Sequence, residues 1–105
     1  MTIYIGDADR AHHKSITREI VRRAQAHGLA GASVLHGIEG YGANSVIRTD
    51  RFPDVADDLP IVIVIVDTDA KIRAFINELD ELIGEGLITL DPVEVVRYVG
   101  GAASS

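Results

Sequence analysis

The run Leu59-Pro60-Ile61-Val62-Ile63-Val64-Ile65-Val66-Asp67 sets six consecutive β-branched residues between a proline and an aspartate. Side chains stiff at χ1 suit a pleated strand better than a helix. The run is far too short for the ~20 apolar residues that span a bilayer. It is also unbroken rather than alternating. That predicts a central strand buried on both faces, or one covered by helices on one face and by a partner subunit on the other.

Downstream, Thr68 or Asp69 is placed to cap a helix. Ile72, Phe75, Ile76, Leu79, Leu82 and Ile83 then form the cleanest helical stripe in the chain. Gly84 and Gly86 end it, with Gly84-Glu85-Gly86 read as a C-cap turn. Leu87 to Leu90 and Val93 to Tyr98 read as strands separated by Asp91-Pro92. Upstream, Thr2 to Ile5 is a strand broken by Gly6-Asp7-Ala8-Asp9. Ser15 is the expected N-cap of a helix reaching about Ala26, with Ile16, Ile20, Val21 and Ala24 on its apolar face. Gly28 supplies the left-handed stop. Ala32 to Ile38 is the second strand, and from Glu39 to Leu59 no period is sustained. Irregular stretches of that length are uncommon in small domains and are usually functional or mobile.

The order βαββαβ predicts an α+β, ferredoxin-like sandwich with an antiparallel sheet. One domain is expected over residues 1–99, with a long loop at about 41–58 and a flexible tail at 100–105. Two helices cannot cover both faces of such a sheet. The bare face predicts an oligomer that packs sheet on sheet.

The 105 residues suffice for one domain, and 47% hydrophobic with 25% charged is ordinary for a globular chain. The absence of cysteine excludes disulfides, thiolate metal sites and cysteine nucleophiles. No basic segment followed by an apolar stretch opens the chain, so a cytoplasmic protein is expected. A net charge of −6 argues against a nucleic-acid partner. Arg10, Lys14, Arg18, Arg22 and Arg23 nevertheless cluster, opposite the acidic Glu78, Asp80, Glu81 and Glu85. Two complementary solvated helix faces account for this; a local basic patch for an anion or partner is the alternative.

The chemistry-bearing candidates are few. Gly37, Gly40, Tyr41 and Gly42 lie where a strand gives way to the loop. Glycines there permit positive φ and close approach of a ligand, and free backbone N–H groups cradle phosphate oxygens. Simple turn glycines are the plainer reading. Gly84, Glu85 and Gly86 form a second such turn, which serves a ligand only if it meets the first, within a chain or across a subunit boundary. Arg97 offers a planar fork for phosphate, or an ion pair with Glu94 or another chain. His12, His13, His27 and His36 lack metal-ligand spacing. Ser33, Tyr41, Ser45 and Thr49 have no elbow motif or arranged base, and Asp57-Asp58 reads as a solvated loop, so an enzyme is not expected.

Gly31-Ala32-Ser33-Val34-Leu35-His36-Gly37-Ile38-Glu39-Gly40-Tyr41-Gly42-Ala43 resembles the Gly-Ala-x-Val-x-x-Gly-x-x-Gly-Phe/Tyr-Gly signature of the family called DUF190. Leu59 to Ile63 with Val66-Asp67, Gly84 to Leu90, and Val95-Val96-Arg97-Tyr98 resemble its later segments, so the likeness covers residues 2–99. The family is regarded as similar to the nitrogen-regulatory P-II proteins. That resemblance implies a homotrimer whose inter-subunit clefts bind ATP, ADP or AMP as small-molecule effector. It also implies a long loop that contacts a partner, with a membrane transporter or channel as the expected class. In those terms Gly37, Gly40, Tyr41, Gly42, Gly84, Glu85, Gly86 and Arg97 would be ligand-binding. Ala43, Asn44, Arg48 and Arg51 would lie on the partner-binding loop. Leu87 and Val95 replace a lysine and an arginine of P-II. Two lost charge-assisted contacts would weaken triphosphate binding by roughly 10² to 10⁴-fold, unless Arg10, Lys14, Arg48 or Arg51 substitutes or the ligand is a smaller anion. Tyr41 sits at the loop base, so no uridylylation is expected there. The alternatives are a CutA-like trimer binding a divalent metal and a weak nucleotide hydrolase.

Overall fold

The computed structural model describes residues 1–6, 10–11, 14–41, 48–49 and 59–100. Strands β1 (Thr2–Gly6), β4 (Ser33–His36), β7 (Pro60–Val64) and β8 (Leu87–Thr89) form one sheet in the order β4-β7-β1-β8. All three pairings are antiparallel. Helices α1 (Ile16–Ala26) and α2 (Asp69–Leu82) complete the expected βαββαβ order, and β7 is central, as its sequence predicts. Two two-residue pairings are added: β2 (Arg10–Ala11) with β3 (Lys14–Ser15), and β5 (Glu39–Gly40) with β6 (Arg48–Thr49).

Both helices start where their caps dictate. The Ser15 Oγ accepts from Arg18 N–H and the Thr68 Oγ1 from Lys71 N–H, each at 3.4 Å. Gly28 has φ +74°, the left-handed stop after α1. It is the one described glycine in that region, so Gly37, Gly40, Gly84 and Gly86 are not built on positive φ. In particular α2 ends on Ile83 in extended conformation, and Gly84 to Gly86 follow the cap rather than form it.

The strand alternation separates two faces. Ile3, Ile5, Ile61, Ile63 and Ile65 point under the helices and are buried with Ile16, Ile20, Ala24, Ile72, Phe75 and Leu79. The register places Leu35, Val62, Tyr4 and Leu87 side by side across the other face. There Tyr4, Leu35 and Leu87 are 43%, 53% and 57% exposed. Among the described residues the run at 61–66 is thus covered by helices on one side only.

The carboxyl end of β7 is tied down by Asp67. Its Oδ1 accepts from Thr68 N–H at 2.7 Å and its Oδ2 from Ala30 N–H at 2.9 Å. The carboxylate joins the start of α2 to the connection after α1. The helices are joined by charge as well. Glu78 Oε2 lies against His27 Nε2, and Arg23 stands 4.0 Å from Glu78 Oε1 while its Nε donates to Glu19 Oε1 at 3.1 Å. The His27 ring meets Phe75 edge-on, with centroids 5.4 Å apart.

Two expected strands differ from the expectation. β4 covers Ser33–His36 rather than residues 32–38, because Gly37 N–H reaches Pro60 O at 2.7 Å and the chain then turns into β5. Val93 to Tyr98 belongs to no ladder among the described residues, and residues 90–100 are exposed. β propensity describes a side chain that fits a pleated surface; it does not supply the neighbouring strand. No helix among the described residues is long and apolar enough to cross a membrane.

Candidate ligand site at the glycine end of the sheet

The antiparallel register gathers the glycine-rich segments at one end. Gly6 pairs with Pro60, His36 with Ile61, and Leu87 with Tyr4. The turn after β4 and the turn before β8 therefore open at the same end, where β1 finishes and β7 begins. Backbone connectivity brings further pieces there. The β2–β3 pair, carrying Arg10 and Lys14, lies between the end of β1 and α1, and Arg48 pairs with Gly40 at the base of the loop.

Each glycine has its own local reason. A Cβ on Gly37 would stand 2.5 Å from Pro60 Cγ, and one on Gly40 would stand 3.3 Å from it. A Cβ on Gly86 would meet Tyr4 O at 2.9 Å and Ile5 Cγ2 at 3.0 Å. These three glycines let the chain close against β7 and β1. Gly84 differs: nothing lies within 4 Å of its Cβ position. It faces open space beside the exposed Glu85.

The two turns share an end but stand beside opposite edges of the sheet. Three interstrand spacings separate β4 from β8, roughly 14 Å. That is too wide for one phosphate group to touch both turns of a single chain. Tyr41 is exposed at the start of the loop. Arg97 is exposed on the segment after β8, which leaves the sheet at the Thr2 end because Thr89 pairs with Thr2. Gly42, Ala43, Asn44 and Arg51 lie outside the described residues, and Arg48 is placed by its backbone alone.

Of the histidines, His27 pairs with Glu78 and His36 is exposed at the end of β4; His12 and His13 lie outside the described residues. Among the described residues no three histidine, aspartate or glutamate side chains converge as a metal site. A cleft of about 430 Å³ beside the end of α1 is lined by Val21, Ala24, Gln25, Leu29 and residues 30–32, and holds none of the expected site residues. Sequence reading missed the Asp67 bridge, although an aspartate directly before a helix-capping threonine is a usable signal. Its carboxyl is held below the usual value first by the Thr68 N–H and further by the Ala30 N–H and Lys71, against the opposing effect of burial.

Two helices on one face of an antiparallel sheet of this order define a small ferredoxin-like α+β protein. Within that class the chain belongs to DUF190, whose family model, described as "Uncharacterized ACR, COG1993", matches residues 1–95. It is 35% identical over 96 residues to a UPF0166 protein of Aquifex aeolicus (strain VF5), covering 91% of this chain and 90% of that one. It is 30% identical over 98 residues to a UPF0166 protein of Methanocaldococcus jannaschii, covering 92% and 90%. A second Aquifex aeolicus UPF0166 protein is 32% identical over 68 residues, covering 65% and 71%.

Proposed function

We propose that this protein is a P-II-like regulatory module. It assembles as a homotrimer, binds a small anionic ligand between subunits at the glycine end of the sheet, and acts on a partner through the loop at residues 41–58. An adenine nucleotide is the leading ligand class, and a membrane transporter or channel the leading partner class. The observation that carries this reading is the placement of both glycine turns at one end of the sheet beside opposite edges. In a closed ring the β4 edge of one subunit faces the β8 edge of the next. The two turns then form the walls of one cleft. Arg10, Lys14, Arg48 or Arg51 would replace the lysine and arginine that stand in P-II where this chain has Leu87 and Val95. The loop begins at the same end, so a ligand bound there with different affinity for two loop conformations shifts their populations.

Gly84 provides the cleanest test, since substituting Gly37 or Gly86 also disturbs the packing of the sheet. Thermal shifts with ATP, ADP, AMP and cyclic nucleotides should show a nucleotide-dependent rise in melting temperature. Gly84→Val should keep the unliganded melting temperature and lose most of that rise. A rise that is unchanged in Gly84→Val, or absent for every nucleotide in the wild type, contradicts the site.

A further inference from the structure

The polar contact between the two helices falls where α1 ends. His27 is the C-cap residue of α1. The chain turns there on three backbone bonds: His27 N–H to Arg23 O at 2.9 Å, Gly28 N–H to Gln25 O at 3.0 Å and Leu29 N–H to Ala24 O at 3.1 Å. The last carbonyls of a helix carry partial negative charge, which favours a protonated imidazole beside them. Glu78 of α2 stands against the ring, its Oε2 on His27 Nε2. That oxygen is shut off from solvent, and no other donor among the described residues reaches it. The second oxygen of Glu78 has the Arg23 guanidinium no nearer than 4.0 Å. Arg23 is itself committed to Glu19, its Nε 3.1 Å from Oε1, and Arg22 stands 3.9 Å from the other Glu19 oxygen. The four strands of the sheet add no charge, since Tyr4 and His36 are their only ionisable residues. Phe75 meets the imidazole edge-on and supplies no polar group. Glu78 therefore has a full counter-charge in contact only when His27 is protonated.

We propose that His27 and Glu78 form a proton-sensitive clasp between α1 and α2. With His27 protonated, imidazolium and carboxylate make a charge-assisted contact. With His27 neutral, the enclosed oxygen faces at best a neutral N–H, and the end of α1 loses a favourable charge. Histidine is the side chain that changes charge between about pH 5 and 8, so the clasp closes on acidification and relaxes on the alkaline side. The element it biases is the connection after α1. From the left-handed Gly28 the chain runs through Leu29 to Ala30, whose N–H is held by Asp67 at 2.9 Å, and on into edge strand β4. The Asp67 carboxyl lies below its ordinary 3.8 and stays ionised throughout that range. One end of the connection is thus fixed, and the other follows the proton. The clasp stands apart from the proposed ligand site: this connection enters β4 at Ser33, which pairs with Val64, whereas the glycine end lies at His36 and Ile61.

The test compares thermal unfolding of the full-length chain with that of Glu78→Gln and His27→Gln, each at about pH 6 and about pH 8, within and at the edge of the histidine range. The overall charge and the other histidines titrate in all three, so the quantity read is the gain in melting temperature from the higher pH to the lower. The His27 and Glu78 side chains are 39% and 35% exposed, so solvent screens the pair and the effect is modest. The wild type should gain roughly 2–4 °C more than either variant. Glu78→Gln keeps the shape and an acceptor oxygen, so a contact that only packs would leave the gain unchanged. Hydrogen exchange locates the effect. At about pH 8 the Leu29 amide should be several-fold less protected, relative to about pH 6 and after correction for intrinsic rates, in the wild type than in His27→Gln. An equal gain in the wild type and Glu78→Gln, or Leu29 protection that follows pH identically in the wild type and His27→Gln, overturns the clasp. Should His27→Gln fail to fold, the Glu78→Gln comparison decides alone.

Discussion

The two faces of this sheet are made from the same strands and differ by one residue in register. On the closed face, Ile3, Ile5, Ile61, Ile63 and Ile65 are sealed by Ile20, Phe75 and Leu79 of the two helices. On the open face, Thr2, Tyr4, Val62 and Val64 carry as much β propensity but meet no second layer among the described residues. The contrast separates the layer that the helices seal from the surface that the described residues leave open. Burial under the helices makes the fold, whereas the open face and residues 90–100 keep apolar side chains exposed.

The largest expected effect is on the closed face. Phe75→Ala should lower unfolding stability by about 3–5 kcal/mol, read by urea denaturation, because the fully buried ring leaves a cavity. Leu35→Arg, on the open face, should instead reduce particle mass while helical circular dichroism is unchanged. Equal effects of the two on unfolding would erase the distinction between the faces.

At the glycine end, Gly37→Ala should cost about 1–3 kcal/mol, since the new methyl meets the Pro60 ring. Gly84→Ala should be neutral or stabilising by up to about 1 kcal/mol, because the space is open and φ is not positive. A reversed order would show that the Gly37–Pro60 packing is not what sets the sheet end.

Positions of this kind mark how far the sequence can be read. The run at 61–65, the stripe Ile72, Phe75, Leu79 and the caps Ser15 and Thr68 are legible because period and cap chemistry are local properties. Gly28 is legible for the same reason. Gly37, Gly40 and Gly86 suggest unusual backbone angles from composition. Their actual constraint is proximity to Pro60 and Tyr4, residues distant in sequence. The segment at 93–98 reads as a strand because its residues fit one, yet a ladder depends on a neighbour that no local pattern specifies. The β2–β3 and β5–β6 pairs are too short to show any period. The topology from which the candidate site is built was legible, while the opposite-edge placement of its two turns required the register.

A smaller effect belongs to the cap that seats α2 over the closed face. Thr68→Ala should cost about 1 kcal/mol by thermal or urea unfolding. The smallest is pH-dependent. The Asp67 carboxyl in the folded chain lies below its ordinary 3.8. Its contribution is therefore fully present above that value and is lost as pH falls through the folded value. Asp67→Asn should be slightly less stable at neutral pH and should lose stability less steeply than the wild type below pH 3.8. Parallel acid profiles for the two would remove Asp67 from the account of how the helices are tied to the sheet.

The most direct test of the closed and open faces is the solution mass of the full chain by light scattering at micromolar concentration, beside the Leu35→Arg variant. The wild type should have three times the 11.3 kDa of one chain, and the variant should fall toward one chain while remaining helical. A wild type that is already a single folded chain would mean that the open face needs no second copy, and the inter-subunit ligand cleft would fall with it.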